Sequence, residues 1–442
     1  MLGSIRKLAS NELFLSYFRN TSWLMAESVV RMFIGITVIG WVARFLGTAN
    51  FGLLTYSQSL VALFAAVATL GLDNIVTREL VKEEGNRNEI LGTSFILKLV
   101  ATMFILGIIL VAAPFIYDDS LTALLLMVIG TSSLFQSFSV IKFYYQSKVL
   151  SKYTTYANIY AIGITSSVKI ALILLKSPLI YFAWAIVLEH IALSFFLVYY
   201  YSHHVSPVTR WRFNKEMATT LLKDSWPLLL AYLAYQLYSR IDQVMVKELI
   251  NNHSAGLYAA AYKFYELPLL IAIITARSIY PLMIKQYKVT IERLHSFFYA
   301  MSSWMTLFSY LIILFLFLFG KEMISLVFGN DFIESFQILL VLSVGLIPLF
   351  NGFIRSNYIT IINSQKLILY TTITSALLNI ILNFIFIKVY GVLGAAIATV
   401  LTQFVSLIFL NLFSKSLRKI FQYQVQSLFL LGLNAKVIFD NR

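Results

Sequence analysis

The chain has 442 residues, 59% of them hydrophobic and only 12% charged, with a mean hydropathy of +0.80. Soluble domains carry roughly 25% charged residues, so this chain has too little polar surface for a water-soluble particle and suits a bilayer instead. Its 34 basic and 20 acidic residues leave a net charge of +14, and the absence of cysteine excludes disulfides, thiolate metal sites and cysteine nucleophiles.

Residues 1–21 hold Arg6, Lys7, Glu12 and Arg19 among Leu2, Ile5, Leu8 and Leu15. They contain no uninterrupted apolar core and no small-residue cleavage site, so they do not read as a cleavable signal. The pattern predicts an amphipathic helix on the inner membrane surface. A membrane span needs about 20 mostly apolar residues. Six candidates lie near 22–45, 52–72, 91–117, 121–141, 153–175 and 178–201, a first lobe over 22–201. A polar linker, 202–224, carries His203, His204, Arg210, Arg212, Lys215, Glu216 and Lys223. Six more spans, near 225–246, 256–283, 297–319, 336–360, 369–387 and 391–413, make a second lobe over 225–413. In the tail, 414–442, the one apolar run is Leu428 to Leu433, broken by Gly432 and too short to cross. The expected fold class is an all-α polytopic membrane protein of about twelve transmembrane helices.

With the N-terminus placed in the cytoplasm, 22 of the 34 basic residues fall on inside segments, 4 outside and 8 within spans. This is the positive-inside asymmetry, and it predicts that both termini are cytoplasmic. Much of the net charge is then orientation signal and contact with anionic lipid headgroups. No nucleic-acid partner is expected.

The two lobes share local strings. Ser22-Trp23 recurs as Ser225-Trp226, Gly52-Leu53 as Gly256-Leu257, and Tyr153-Thr154-Thr155 as Tyr370-Thr371-Thr372, each at the start of a corresponding span. Six spans per half is an even number, so the halves have the same orientation, as in transporters that hold substrate between two repeats.

Charges within spans are costly and usually face a cavity or a partner. The basic set is Arg31, Arg44, Lys98, Lys169, Arg240, Lys263, Arg277 and Arg355; the acidic set is Glu27, Glu189, Asp242 and Glu266. The interior is therefore net cationic and suits an anionic headgroup, with arginine able to bind phosphate through its two-pronged fork. Glu27 and Arg31, four apart on span 1, read equally as a structural ion pair and as a substrate contact. Span 7 is the most polar: Tyr232, Gln236, Arg240 and Gln243 follow helical spacing, with Tyr235, Ser239 and Asp242 as the adjacent stripe, which predicts a cavity lining. Lys263 and Glu266 precede Pro268, a self-satisfied pair beside a kink or part of a hinge. Arg277 and Arg355 lie within two turns of the inner ends of spans 8 and 10; contact with an anionic group competes there with simple snorkelling, the default for either. Lys98, Lys169 and Arg44 also lie near enough to an interface to snorkel, and rank lower as site residues. The five histidines make no ligand cluster, no Walker A sequence occurs, and no nucleophile–base or paired-carboxylate arrangement reads as catalytic. Neither an enzyme, a metal site nor a cofactor is expected.

Ala43-Arg44-Phe45-Leu46-Gly47 with Phe51-Gly52-Leu53-Leu54 resembles the first loop of the polysaccharide transporter family, as does Gly71-Leu72-Asp73 followed by Arg78-Glu79-Leu80. Ser225-Trp226-Pro227 through Ile241-Asp242, then Gly256-Leu257-Tyr258 and Glu266-Leu267-Pro268, resembles that family's spans 7 and 8. The run from Tyr390 to Thr399 resembles the start of its last core helix. The family is that of the Wzx-type O-antigen or capsule flippases, in the MOP superfamily with the MurJ lipid II flippases and the MATE exporters. The resemblance implies two six-helix lobes, a cationic central cavity, and an undecaprenyl-pyrophosphate-linked oligosaccharide moved from the cytoplasmic to the periplasmic leaflet of the bacterial inner membrane. It also implies coupling to H⁺ or Na⁺ and leaves room for a polysaccharide polymerase as partner. On this reading Arg31, Arg240, Lys263, Arg277 and Arg355 contact the substrate, with Glu27, Asp242 and Glu266 as ion-pairing or coupling groups. A MATE-like multidrug exporter is the first alternative, for which an acid-dominated cavity is expected; a membrane polysaccharide polymerase is the second.

Overall fold

The computed structural model describes residues 12–433, without the side chains of 12–21, 24, 26 and 84. Residues 1–11, the first half of the expected surface helix, and residues 434–442 of the expected tail lie outside the described residues. Among the described residues every regular element is a helix.

Among the described residues, ten stretches are long and apolar enough to cross a membrane. One of them belongs to α1 (Glu12–Ala68), where Gly47 leaves helical geometry with φ 72° and divides the helix into two spans. Only glycine takes that backbone conformation without a Cβ penalty. A further helix, α8 (Lys215–Leu249), carries the polar stripe of span 7 and so is absent from the ten. Dividing α1 and adding α8 gives a helix for each of the twelve expected spans.

The chain forms two compact units. One is the chain up to Leu46 together with Ser57–Leu233; the other is Gly47–Tyr56 with Ala234 onward. In the first, α2 (Leu72–Lys82) follows α1 and leads to α3 (Arg87–Ile116). Asp119 then caps α4 (Ser120–Gln136), accepting from the backbone N–H of Leu121 and Thr122 at 3.1 and 3.2 Å. A 3₁₀ turn, Ser137–Ser139, separates α4 from α5 (Val140–Ser147), and α6 (Lys152–Leu174) and α7 (Leu179–His204) complete the unit up to α8. In the second unit α9 (Asn252–Glu266), α10 (Leu269–Val289), α11 (Ile291–Phe328), α12 (Ser335–Val344), α13 (Leu346–Ile361), α14 (Lys366–Tyr390) and α15 (Val392–Leu407) follow one another. A last helix, α16 (Arg418–Ser427), returns along α11.

Burial follows the bilayer rule and not the soluble one. Phe104, Val111, Phe115 and Leu174 are exposed on the outside, while Ala157, Ala183, Ala260, Ala395 and Thr155 are fully buried. With lipid outside, helices associate through close packing of small residues rather than through hydrophobic exclusion.

Candidate functional site

The structure places the sequence-derived charges in unequal surroundings. In the first unit, Glu27 and Arg31 pair at 3.2 Å, with the Arg31 side chain half exposed. In the second, Lys263 and Glu266 pair at 3.3 Å, both part-exposed. Arg240 and Arg277 are exposed, and neither has an ion pair among the described residues. Arg355 is 1% exposed. Its Nε donates to Asn411 Oδ1 at 2.6 Å, Asn411 donates onward to Gln424 Oε1 at 2.7 Å, and the Nη2 of Arg355 has no partner.

The first unit holds a partly open cavity of about 250 Å³ that the sequence ranking did not single out. Its serine-rich wall comes from the 3₁₀ turn between α4 and α5, and mid-helix 3₁₀ segments often mark functional positions. Just before the turn, the carbonyl of Phe135 accepts from Ser194 Oγ of α7 at 2.7 Å. Lys98 of α3 points into this cavity although only 5% of its surface is exposed. Its Nζ donates to Ser139 Oγ at 2.8 Å, lies 3.5 Å from Asp73 Oδ1, and sits 5.0 Å from the centre of the Phe143 ring. Lys142, His190, Gln136, Ser133 and Tyr232 also line the space. The only sequence signals for this site were a run of hydroxyl residues, Thr131-Ser132-Ser133 and Ser137-Phe138-Ser139, inside an apolar span, and the aspartate directly after Gly71-Leu72.

The second unit buries a carboxylate. Asp242 of α8 is 3% exposed and accepts from Tyr258 Oη at 2.8 Å, from Asn383 Nδ2 at 2.6 Å, and from the Thr399 hydroxyl. No cation pairs with it among the described residues. The side-chain oxygens of Asn379 and Asn383, beside it, are buried without partners. One carboxylate amid amide and hydroxyl oxygens is a donor set for a hard monovalent cation or a proton. Among the described residues no group of three or more His, Cys, Asp or Glu could hold a metal ion.

Residues 17–287, more than half of the chain, match the model of the polysaccharide biosynthesis protein family. The chain belongs to that family. Among curated relatives of this polysaccharide biosynthesis protein, it is 28% identical over 188 residues to "Capsular polysaccharide biosynthesis protein CapF" of Staphylococcus aureus, covering 41% of this chain and 46% of that one. It is 27% identical over 169 residues to "Probable low-salt glycan biosynthesis flippase Agl15" of Haloferax volcanii, covering 37% and 35%. The matches thus span less than half the length of either relative. Among solved structures, a multidrug resistance MATE family transporter of the MOP superfamily in its inward-facing conformation superposes with a TM-score of 0.72 at 14% identity, over 90% of this chain and 95% of that one. The lipid II flippase MurJ in an inward closed conformation gives 0.71 at 15% identity, over 92% and 91%. At such identities the likeness is one of fold. It is the MOP fold that the loop and span strings led us to expect.

Proposed function

We propose that this multi-pass membrane protein is a flippase that moves an undecaprenyl-pyrophosphate-linked oligosaccharide from the cytoplasmic to the periplasmic leaflet for O-antigen, capsule or a related surface polysaccharide. The observation that carries the reading is a cavity with two lysines to one aspartate, lined by apolar helices of a polysaccharide biosynthesis family chain. Buried positive charge is costly in a bilayer unless an anion meets it, and a pyrophosphate headgroup supplies that anion. In this account the polyprenyl tail stays in lipid while the headgroup crosses between two alternately opening lobes, 22–201 and 225–413. Outside that cavity, Arg31, Arg240 and Lys263, joined by Arg277 and Arg355, are the contacts proposed along the rest of the path. Glu27 and Glu266 hold their basic partners between cargo events. Asp242, beside the unpaired amide oxygens of Asn379 and Asn383, binds the H⁺ or Na⁺ whose gradient drives the cycle. The inner membrane is the expected location, with both termini and the 202–224 linker in the cytoplasm, as the distribution of basic residues supports. A polymerase acting on the far leaflet is the natural partner.

A multidrug exporter shares this fold. A pocket for cationic drugs would be acid-dominated, whereas lysine outnumbers aspartate in this cavity. Deleting the gene and following lipid-linked oligosaccharide tests the choice. Complete repeat units accumulating on the cytoplasmic leaflet, with surface polymer lost, are expected. Units that reach the far leaflet but stay unpolymerised would point to a polymerase, and unchanged polymer with new drug sensitivity to an exporter.

A further inference from the structure

We propose that Lys98 and Lys142 form a phosphate-binding site inside the first unit, and that Asp73 is its resident counter-ion, displaced when the anion enters. This deepens the flippase reading by naming the residues that receive the charged end of the cargo, and it rests on that reading only for the identity of the cargo.

One ion pair at the cavity is asymmetric. The Lys98 side chain is 6% exposed, while that of Asp73, 3.5 Å away, is 52% exposed. The cation is fixed: α3 carries it inward, Ser139 accepts one of its protons and Phe143 lies beneath it. The anion sits at the start of α2 on the open side of the cavity, and its carboxylate has no other side-chain partner among the described residues. A carboxylate so placed can leave without breaking anything but this contact. Lys142 supplies a second ammonium to the same wall and has no ion pair among the described residues. With Asp73 in place the cavity keeps an uncompensated positive charge; without it there are two. A phosphate or pyrophosphate oxygen pair brings the negative charge that a low-dielectric site of this kind needs.

The remaining lining fits the same ligand. Ser137 Oγ is buried with no partner and lines the cavity, beside Thr69, Thr102 and Ser133. Hydroxyl donors around two ammonium groups match the several acceptor oxygens of a phosphate. Lysine suits a site that exchanges one anion for another, since its flexible stem lets the point charge follow either. A purely structural reading, in which Asp73–Lys98 only pins α2 to α3, makes a different claim: the two residues are then equivalent, and losing either does the same harm.

The test uses purified full-length protein and inorganic pyrophosphate at fixed ionic strength, with binding read by calorimetry. Wild type is expected to bind saturably. Asp73→Asn removes the competitor and is expected to tighten binding by about tenfold, while Lys98→Met and Lys142→Gln each weaken it by about tenfold or more, the scale of one charge contact. Lys142 is less buried than Lys98, so Lys142→Gln keeps the test alive should Lys98→Met fail to fold. Nanodiscs of zwitterionic lipid with and without polyprenyl phosphate separate a lipid headgroup from free phosphate: competition by the lipid marks the headgroup as ligand, and its absence marks the free anion. Weaker binding in Asp73→Asn, or no saturable binding by wild type, overturns the site. Pyrophosphate binding that depends on Lys98, in cells whose surface polymer survives loss of the gene, would uphold the site and remove the flippase reading.

Discussion

Gly52 and Gly256, the glycines that open corresponding spans in the two halves of the sequence, lie backbone against backbone within the second unit. A Cβ on Gly52 would stand 2.6 Å from the Gly256 nitrogen and strike the Asn252 carbonyl; a Cβ on Gly256 would strike the Thr48 carbonyl. Thr48 Oγ1 and His253 Nδ1, 2.6 Å apart, close the same junction. Because backbone cannot yield as a side chain can, Gly52→Ala and Gly256→Ala are each expected to destabilise by roughly 1–3 kcal/mol. Gly163→Ala, which meets nothing within 4 Å, serves as control. Apparent melting temperature in detergent is the readout, and equal values for all three variants would contradict the packing.

Asp242→Asn keeps the size of the side chain and removes its charge, so the fold is expected to persist and the cation response to vanish. A cation at a hundred times its dissociation constant stabilises by about 2.7 kcal/mol. Melting of wild type in sodium chloride against choline chloride, repeated across pH, shows whether Na⁺ or H⁺ is the ligand. A variant that responds as wild type does would take Asp242 out of the coupling role.

Arg355 and Asn411 separate stability from transport. Asn411→Ala leaves a buried guanidinium without its acceptor and is expected to cost about 1–3 kcal/mol. Arg355→Met replaces the charge with an apolar chain, a change that is often near neutral for stability. Loss of polysaccharide export by Arg355→Met, at unchanged melting temperature, is the outcome expected of a cargo contact; normal export would assign Arg355 to the scaffold.

Lys169 and Glu189 pair at 3.3 Å between α6 and α7, with side chains 19% and 29% exposed. Lys169→Met and Glu189→Leu each strand a charge at membrane depth, whereas the double variant strands none. The double is expected to recover 0.5–3 kcal/mol relative to the sum of the singles, on the order of measured pair couplings. Additivity would mean that the contact contributes nothing.

The spans were legible because a bilayer demands some 20 apolar residues in a row, and Gly52 and Gly256 because the repeat placed both at helix starts. Lys98 was not. A lone lysine in the first half of a span reads as one that snorkels to the headgroups, and whether it turns inward depends on groups from elsewhere in the chain: Asp73 of α2, Ser139 of the 3₁₀ turn and Phe143 of α5. Lys142 lies one residue past the apolar stretch near 121–141, where nothing in the sequence shows that α5 carries the helix on to Ser147. The tail gave a similar problem. Its polar residues look merely hydrophilic until Gln424 meets Asn411, the Leu428 carbonyl meets Tyr310, and the Gly432 N–H meets Ser303. Such contacts join positions more than a hundred residues apart, or lie across a turn, and periodicity carries no trace of them.

Translocation itself can be measured by reconstitution. Purified protein is placed in liposomes with a fluorescent polyprenyl-pyrophosphate oligosaccharide, and a membrane-impermeant quencher reports how much label reaches the outer leaflet over time. The account expects transfer well above that of protein-free vesicles, dependence on an imposed ion gradient, and its loss in Asp242→Asn. Transfer no faster than in empty vesicles, with folded protein and a gradient present, would contradict it.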